Sequence, residues 1–294
     1  MRKSLDHSEK PKVFDLFAGA GGFSLGFHQA GFETLGMLEI DLWATDTLKN
    51  NFPSSDVLHQ SIIDFNAEKY FQTLGQTPSI IIGGPPCQGF SLCRRGTGEP
   101  TDPRNELLFE FLKVVKAVQP DVFVIENVAN LFKAKNKDKV FVRDVLREEI
   151  EGLGYNFYIN VLDATHFGVP QMRKRCFIIG SKRILKTPYP IQTHIFTDQS
   201  DLLTNYKQTP SLWEAISDLP VLDAGQGAEV AQYDKEPLTD YQRMLRNSPY
   251  ELYNHKAMRH SKRMVQRFEA MNWGQSGSDV PDHLKPRKRN SDKI

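Results

Sequence analysis

Two short apolar runs, each closing on a glycine-rich turn, limit how this chain can fold. Pro78-Ser79-Ile80-Ile81-Ile82 runs into Gly83-Gly84-Pro85-Pro86-Cys87-Gln88-Gly89-Phe90-Ser91. Near the start, Phe14-Asp15-Leu16-Phe17 runs into Ala18-Gly19-Ala20-Gly21-Gly22, ahead of a helical pattern. A buried strand that ends in such a turn is the unit of an α/β sheet, and it presents the turn at the sheet's carboxyl edge. One turn carries a thiol and suits covalent chemistry. The other suits a nucleotide-like ligand at a helix N-terminus.

The rest of the first two thirds keeps the same rhythm. Strands are expected at 12–17, 33–38, 57–63, 80–82, 121–126, 155–162 and 175–180, and helices at 22–30, 42–51, 67–74, 105–118 and 140–153. Thr101-Asp102-Pro103 places a capping side chain before a proline at a first helical position. Alternation of this kind predicts an α/β protein with a mostly parallel, doubly wound sheet. Past Lys182 the rhythm stops, and only 211–219 and 261–271 read as helices. A catalytic and cofactor-binding domain over 1–183 is therefore expected, with 184–294 an irregular second region that is basic at its end.

Composition narrows the class. Apolar content of 39% and charged content of 25% are those of an ordinary globular protein. No apolar run approaches membrane-spanning length, and Met1-Arg2-Lys3-Ser4-Leu5-Asp6-His7 has no signal-peptide core. The three cysteines, Cys87, Cys93 and Cys176, match neither a disulfide framework nor a zinc spacing. A reduced, cytoplasmic compartment and no membrane partner are the expectation. The net charge of +1 hides ten Lys/Arg against four Asp/Glu between Lys256 and Lys293. A basic end of this kind permits phosphate contacts.

Several residues carry chemistry. Gly19, Gly21 and Gly22 let a backbone approach a ligand closely. Glu39 follows about twenty residues on, where an acidic side chain takes ribose hydroxyls. Phe17, at the strand tip, can stack on adenine or belong to the core. The glycines lack the full G-x-G-x-x-G form, which favours a single adenosine ligand over a dinucleotide. Glu126 closes the apolar run Val124-Ile125 and costs several kcal/mol to desolvate unless paired or protonated. In Gln171-Met172-Arg173-Lys174-Arg175, residues 171, 173 and 175 share one face of an extended strand. Two guanidinium groups there suit a phosphate or a carbonyl oxygen.

In this order the motifs resemble those of the DNA (cytosine-5) methyltransferases. They are Phe14 to Phe23, Gly84-Pro85-Pro86-Cys87-Gln88-Gly89-Phe90-Ser91, Glu126-Asn127-Val128, and Phe167-Gly168-Val169-Pro170-Gln171-Met172-Arg173-Lys174-Arg175. The resemblance implies a Rossmann-like, S-adenosyl-L-methionine-dependent methyltransferase fold whose last two strands form an antiparallel hairpin. It implies Cys87 as the nucleophile at cytosine C6, Glu126 at the N3/N4 edge, and Arg173 and Arg175 holding the base carbonyl and nearby backbone. A base, water among the candidates, then removes the C5 proton. The target is a cytosine flipped out of double-stranded DNA. Gln88, Ser91, Arg94, Arg95 and Gln171 are expected DNA contacts, with 91–101 a loop that closes over the base.

On the cofactor side the resemblance implies Phe17 at the adenine, Glu39 at the ribose, and Gly19, Gly21, Ile40, Ile62, Pro86 and Leu107 around them. Ser61 stands where the family commonly has an Asp, which implies weaker S-adenosylmethionine binding. The family's closing Gly-Asn-Ser-type segment is not found, and its base-reading part is either missing or only begun at 260–289. An active DNA cytosine methyltransferase in a restriction-modification setting is the expectation, and a split enzyme completed by a second polypeptide is one of two competing explanations for the missing part. The alternatives are a truncated, inactive cofactor- and DNA-binding remnant, or a tRNA cytosine-5 methyltransferase. The last is disfavoured because Cys176-Phe177 is followed by Ile178 rather than Thr.

Overall fold

A computed structural model describes residues 10–86, 106–135, 139–196, 205–246, 248, 250–272 and 274–286. The chain divides into two compact units, Met1–Thr209 and Pro210–Ile294. The first is built on a sheet of seven strands: β1 (Lys12–Leu16), β2 (Glu33–Glu39), β3 (Asp56–His59), β4 (Ile80–Gly83), β5 (Val122–Val128), β6 (Asn156–Asp163) and β7 (Lys174–Ser181). Their order is β3-β2-β1-β4-β5-β7-β6. Pairings from β3 to β5 are parallel, and β7 runs antiparallel to both its neighbours. The predicted antiparallel hairpin is β6–β7, with β7 inserted between β5 and β6.

Sequence signals account for most of the helices. In α4 (Glu106–Val118), Leu108, Phe111, Leu112 and Val115 recur at helical spacing and are fully or almost fully buried. In α5 (Val142–Gly152) the buried stripe is Val142, Leu146 and Ile150. Helix α2 (Leu42–Asn51) starts where Asp41 accepts from the Ala44 N–H at 2.8 Å. Helix α3 (Ala67–Leu74) starts at the Asn66 cap and ends at Gly75 in the left-handed region. Helix α1 (Gly22–Gln29) follows the first glycine turn. Phe123 in β5 meets the rings of Phe111 and Tyr155, and Phe14 in β1 meets Phe65, Tyr70 and Phe71. Each such ring contributes roughly 1.5–3 kcal/mol by leaving water.

Two expectations change. The third strand, read as 57–63, stops at His59; Ser61 then caps a single turn of 3-10 helix, Ile62–Asp64, because its hydroxyl accepts from the Ile63 N–H. Residues 184–209, expected to open the second region, are held to the sheet unit. Leu185 N–H donates to Tyr158 Oη, Tyr189 Oη donates to the Phe177 carbonyl, and buried Thr209 Oγ1 donates to the Thr165 carbonyl. A short parallel pair, β8 (His194–Ile195) with β9 (Lys207–Gln208), lies in this stretch.

The second unit is more ordered than its sequence promised. It holds α6 (Leu212–Ile216), a hairpin of β10 (Gly227–Gln232) with β11 (Glu251–Lys256), α7 (Asp240–Leu245) and α8 (Lys262–Glu269). Its centre is a buried ion pair, Arg246 Nη2 to Asp218 Oδ2 at 2.7 Å, with the guanidinium 3.7 Å from the Tyr233 ring centroid. Gln242 Nε2 ties α7 to α6 through the Glu214 carbonyl at 2.9 Å. No helix among the described residues is long and apolar enough to cross a membrane.

The tightest constraint on the sheet lies where β4 ends. A Cβ on Gly83 would stand 2.2 Å from the Leu16 carbonyl oxygen of β1, an obstacle that cannot rotate away. Gly83→Ala is expected to cost about 1–3 kcal/mol by forcing β1 and β4 apart. Urea unfolding reads this as a lower midpoint at unchanged slope; an unaltered midpoint would show that the strands yield freely.

Candidate active site

The carboxyl ends of β1, β2, β3 and β4 converge on the point where strand order reverses, between β1 and β4. There Phe17, Glu39, Ile40, Ser61, Ile62, Pro86 and Leu107 line one pocket of about 100 Å³, together with Leu38 and Gln60. Seven of the nine residues expected to hold a cofactor thus share one cavity. Phe17 sits at φ 60°, a strained conformation for a bulky residue, which turns the chain sharply off the end of β1.

The two remaining residues, Gly19 and Gly21, act through the turn itself. Gly21 caps α1 at φ 89°, and a Cβ there would meet the Phe52 and Leu48 side chains at 2.6 and 2.8 Å. The Gly19 N–H donates to Glu39 Oε2 at 2.7 Å, while Oε1 accepts from the Ile40 and Asp41 N–H groups at 2.8 and 2.9 Å. Glu39 thus has a backbone role that its sequence position did not reveal. Its carboxylate clamps the glycine turn to the end of β2, leaving the outer lone pairs for hydroxyl donors.

The second cluster lies at the ends of β4, β5 and β7. Arg175 faces Val128 in the β5–β7 register, and its Nε lies 2.9 Å from Glu126 Oε1. Arg173 Nη2 approaches the same oxygen at 3.7 Å. The side chains of Glu126 and Arg175 keep 28% and 26% of their exposure, so this acid closing an apolar strand is paired and part-solvated rather than isolated. Glu126 Oε2 lies toward Gly84, 3.5 Å from where a Cβ there would stand. On the opposite face of β5, buried Asn127 donates through Nδ2 to the Pro85 carbonyl at 3.0 Å. The turn leading to the thiol is thereby fastened to the strand bearing the acid.

One sequence expectation fails here. Residues 171, 173 and 175 do not share one strand face, because β7 begins only at Lys174 and both Gln171 and Arg173 precede it. The Gln171 N–H instead donates back to the Val169 carbonyl at 2.8 Å in a tight bend, with Gln171 exposed. Cys87, Gln88, Ser91, Arg94 and Arg95 lie outside the described residues.

Two residues of the site went unread. Asn127 sits inside the quoted Glu126-Asn127-Val128 motif, and a buried amide beside a Pro-Pro turn was the available signal. Asp15 is 1% exposed, accepts from Ser24 Oγ at 2.7 Å through Oδ2, and has no partner for Oδ1. Burial pushes its carboxyl up to about 7; the Ser24 hydrogen bonds pull the other way, and the Glu39 charge adds to the rise.

A small pocket at a topological switch point and an acid flanked by two arginines lie at the carboxyl edge of one α/β sheet. The chain belongs to the C-5 cytosine-specific DNA methylase family, whose pattern it matches over residues 11–292. It is 41% identical over 277 residues to the type II methyltransferase M.DdeI of Desulfomicrobium norvegicum, covering 94% of this chain and 65% of that protein. It is 36% identical over 274 residues to the type II methyltransferase M1.HphI of Haemophilus parahaemolyticus, covering 92% and 64%. A solved structure described as a prophage-encoded DNA modification methyltransferase of E. coli superposes with a TM-score of 0.69 at 27% identity, covering 90% of this chain and 77% of that one. The chain spans about two thirds of the length of the curated relatives it matches. The methyl donor of this family is S-adenosyl-L-methionine. The donor set of the pocket suits its adenosine: an aromatic ring at Phe17, the Glu39 carboxylate at the glycine turn, and apolar walls from Ile40, Ile62, Pro86 and Leu107.

The Asp15 carboxyl makes a signed prediction. Its folded-state value is raised above the ordinary 3.8, so the stability tied to its proton is complete below about pH 4 and is lost as pH rises to about 7. At about 1.4 kcal/mol per unit, the effect is of the order of a few kcal/mol. Asp15→Asn removes the titration. The wild-type unfolding free energy should fall relative to the variant between about pH 4 and 7, and parallel curves would refute a protonated Asp15.

Proposed function

We propose that this chain carries the catalytic and cofactor-binding part of a DNA cytosine C5-methyltransferase acting in a restriction-modification setting. The observation that carries this reading is the meeting of three parts at one sheet edge. They are the adenosine pocket, the Gly84-Pro85-Pro86 turn that leads to Cys87, and Glu126 flanked by Arg173 and Arg175.

The residues divide the chemistry between them. The thiolate of Cys87 adds to C6 of a cytosine extruded from the duplex, and the C5–C6 π electrons move to C5. Glu126 holds the N3/N4 edge and stabilises the charge that develops there. Its Oε1 is engaged by the arginines, so Oε2, on the side of Gly84, is the oxygen for the base. Arg175, supported by Arg173, fixes that carboxylate and reaches the base carbonyl. S-adenosylmethionine, when bound against Phe17 and Glu39, would supply the electrophilic methyl carbon that the C5 electron pair takes, with the S–CH3 bond breaking and the sulfonium leaving as the neutral thioether. A base, water among the candidates, takes the C5 proton, the electrons reform the double bond, and the Cys87–C6 bond breaks to restore the thiolate.

Phe17 and Glu39 bind adenine and ribose in this reading, with Ile40, Ser61, Ile62, Pro86 and Leu107 closing the pocket and Gly19 and Gly21 shaping the turn. Gln88, Ser91, Arg94, Arg95 and Gln171 contact DNA. The reading extends to a second polypeptide that completes the recognition region.

The test is mechanism-based trapping. Duplex DNA bearing 5-fluorocytosine is incubated with S-adenosylmethionine and the chain, alone and with a complementing polypeptide. The expected result is a denaturation-resistant protein–DNA adduct that Cys87→Ala abolishes while still binding S-adenosylmethionine. A wild-type chain that binds cofactor and DNA yet forms no adduct in either arm overturns the covalent mechanism.

A further inference from the structure

Past the catalytic end of β5 the sequence sets a lysine at every second position: Lys133, Lys135, Lys137 and Lys139. Of these, Lys133, Lys135 and Lys139 are among the described residues. A 3-10 turn, Ala129–Lys133, buries Leu131 and lays Phe132 and Ala134 against the core, while Lys133, Lys135 and Lys139 are exposed. The segment then doubles back, with Lys135 bridging antiparallel to Phe141 and the Val142 N–H donating to the Ala134 carbonyl at 2.9 Å.

Aromatic and cationic groups brace this loop. The Arg143 guanidinium lies 4.9 Å from the Phe132 ring centroid and 4.6 Å from that of Phe141, and Lys135 Nζ lies 4.6 Å from the Phe141 centroid. None of Lys133, Lys135 and Lys139 has an ion-pair partner among the described residues. Three exposed lysines on one short braced loop, without a carboxylate partner among the described residues, make a positive patch that a polyanion neutralises. The location names the polyanion. Two strand residues and one 3-10 turn separate Glu126 from Lys133, a path of about 17 Å at most. That is the length of roughly five nucleotides of a B-form strand.

Resting on the reading above, we propose that Lys133, Lys135 and Lys139 form a phosphate-contact comb that grips the DNA backbone beside the target cytosine, independently of sequence. A triple Lys→Gln variant at these positions should bind duplex DNA with a salt dependence shallower by about 3 in log–log slope, roughly 1 per lysine, equally for all sequences. A Lys→Arg triple at the same positions should keep the wild-type slope. A control that neutralises the helix lysines Lys49, Lys69 and Lys116, each exposed, should also keep it. Equal slopes for the comb variant and wild type, or an equal loss in the control, overturn the proposal. Thermal midpoint and S-adenosylmethionine affinity are read in parallel. A wild type that binds cofactor but no DNA sinks the methyltransferase reading itself, whereas a wild type that binds DNA with the comb variant unchanged sinks only the comb.

Discussion

The hydrogen bond from Asn127 Nδ2 to the Pro85 carbonyl is the joint on which the site is assembled. Neighbouring residues of a strand face opposite ways, so Asn127 points into the core while Glu126 points to the site. One dipeptide therefore both anchors the proline turn and presents the acid. A buried carbonyl without that amide would lose a partner worth about 1–3 kcal/mol, and the turn would lose its fixed distance from the carboxylate. Gly83, just before the turn, is held equally closely by the Leu16 carbonyl. Between these two contacts the chain entering the thiol segment has little freedom, which is what pre-organised chemistry requires.

The charges around the two pockets follow one rule, that each buried or half-buried ionic group has its neutraliser built in. Glu39 spends its carboxylate on three backbone N–H groups of the glycine turn and the start of the next helix. Glu126 is flanked by two guanidiniums from the edge of β7. Asp15 has a hydroxyl donor in Ser24 but no cation, and burial pushes its carboxyl up to about 7. The same logic holds in the second unit, where Asp218 and Arg246 are buried together and the guanidinium is stacked on Tyr233.

Much of the sheet unit was legible because its strands are buried and its helices are striped or capped. The limits of α3 could be read residue by residue, since Asn66 starts it and Gly75 stops it. The end of β3 could not, because Leu58, Ile62 and Ile63 look continuous in sequence while the Ser61 hydroxyl redirects the backbone. The second unit was opaque for a different reason. Strand β10 exposes nearly every residue, so it has no alternation to detect. Of the unit's helices, α6 and α8 fall within the stretches read as helical, whereas α7 went unread although Thr239 with Gln242 forms a reciprocal capping box like Ser211 with Glu214. In the site, spacing pointed to the glycine turn and Glu39 and the family resemblance to the rest of the pocket wall, but the backbone role of Glu39 and the bend at Gln171 depend on hydrogen bonds that spacing does not encode.

The insertion of β7 between β5 and β6 has a consequence for how the molecule comes into being. A nascent chain can build β1 to β5 and enclose a nucleoside hollow before the arginine strand has left the ribosome. Glu126 meets Arg175 only after some fifty further residues have been made and the local β6–β7 hairpin has docked its inner edge on β5. In order of synthesis the acid's strand thus precedes both arginines, and its ion pairs require the finished hairpin.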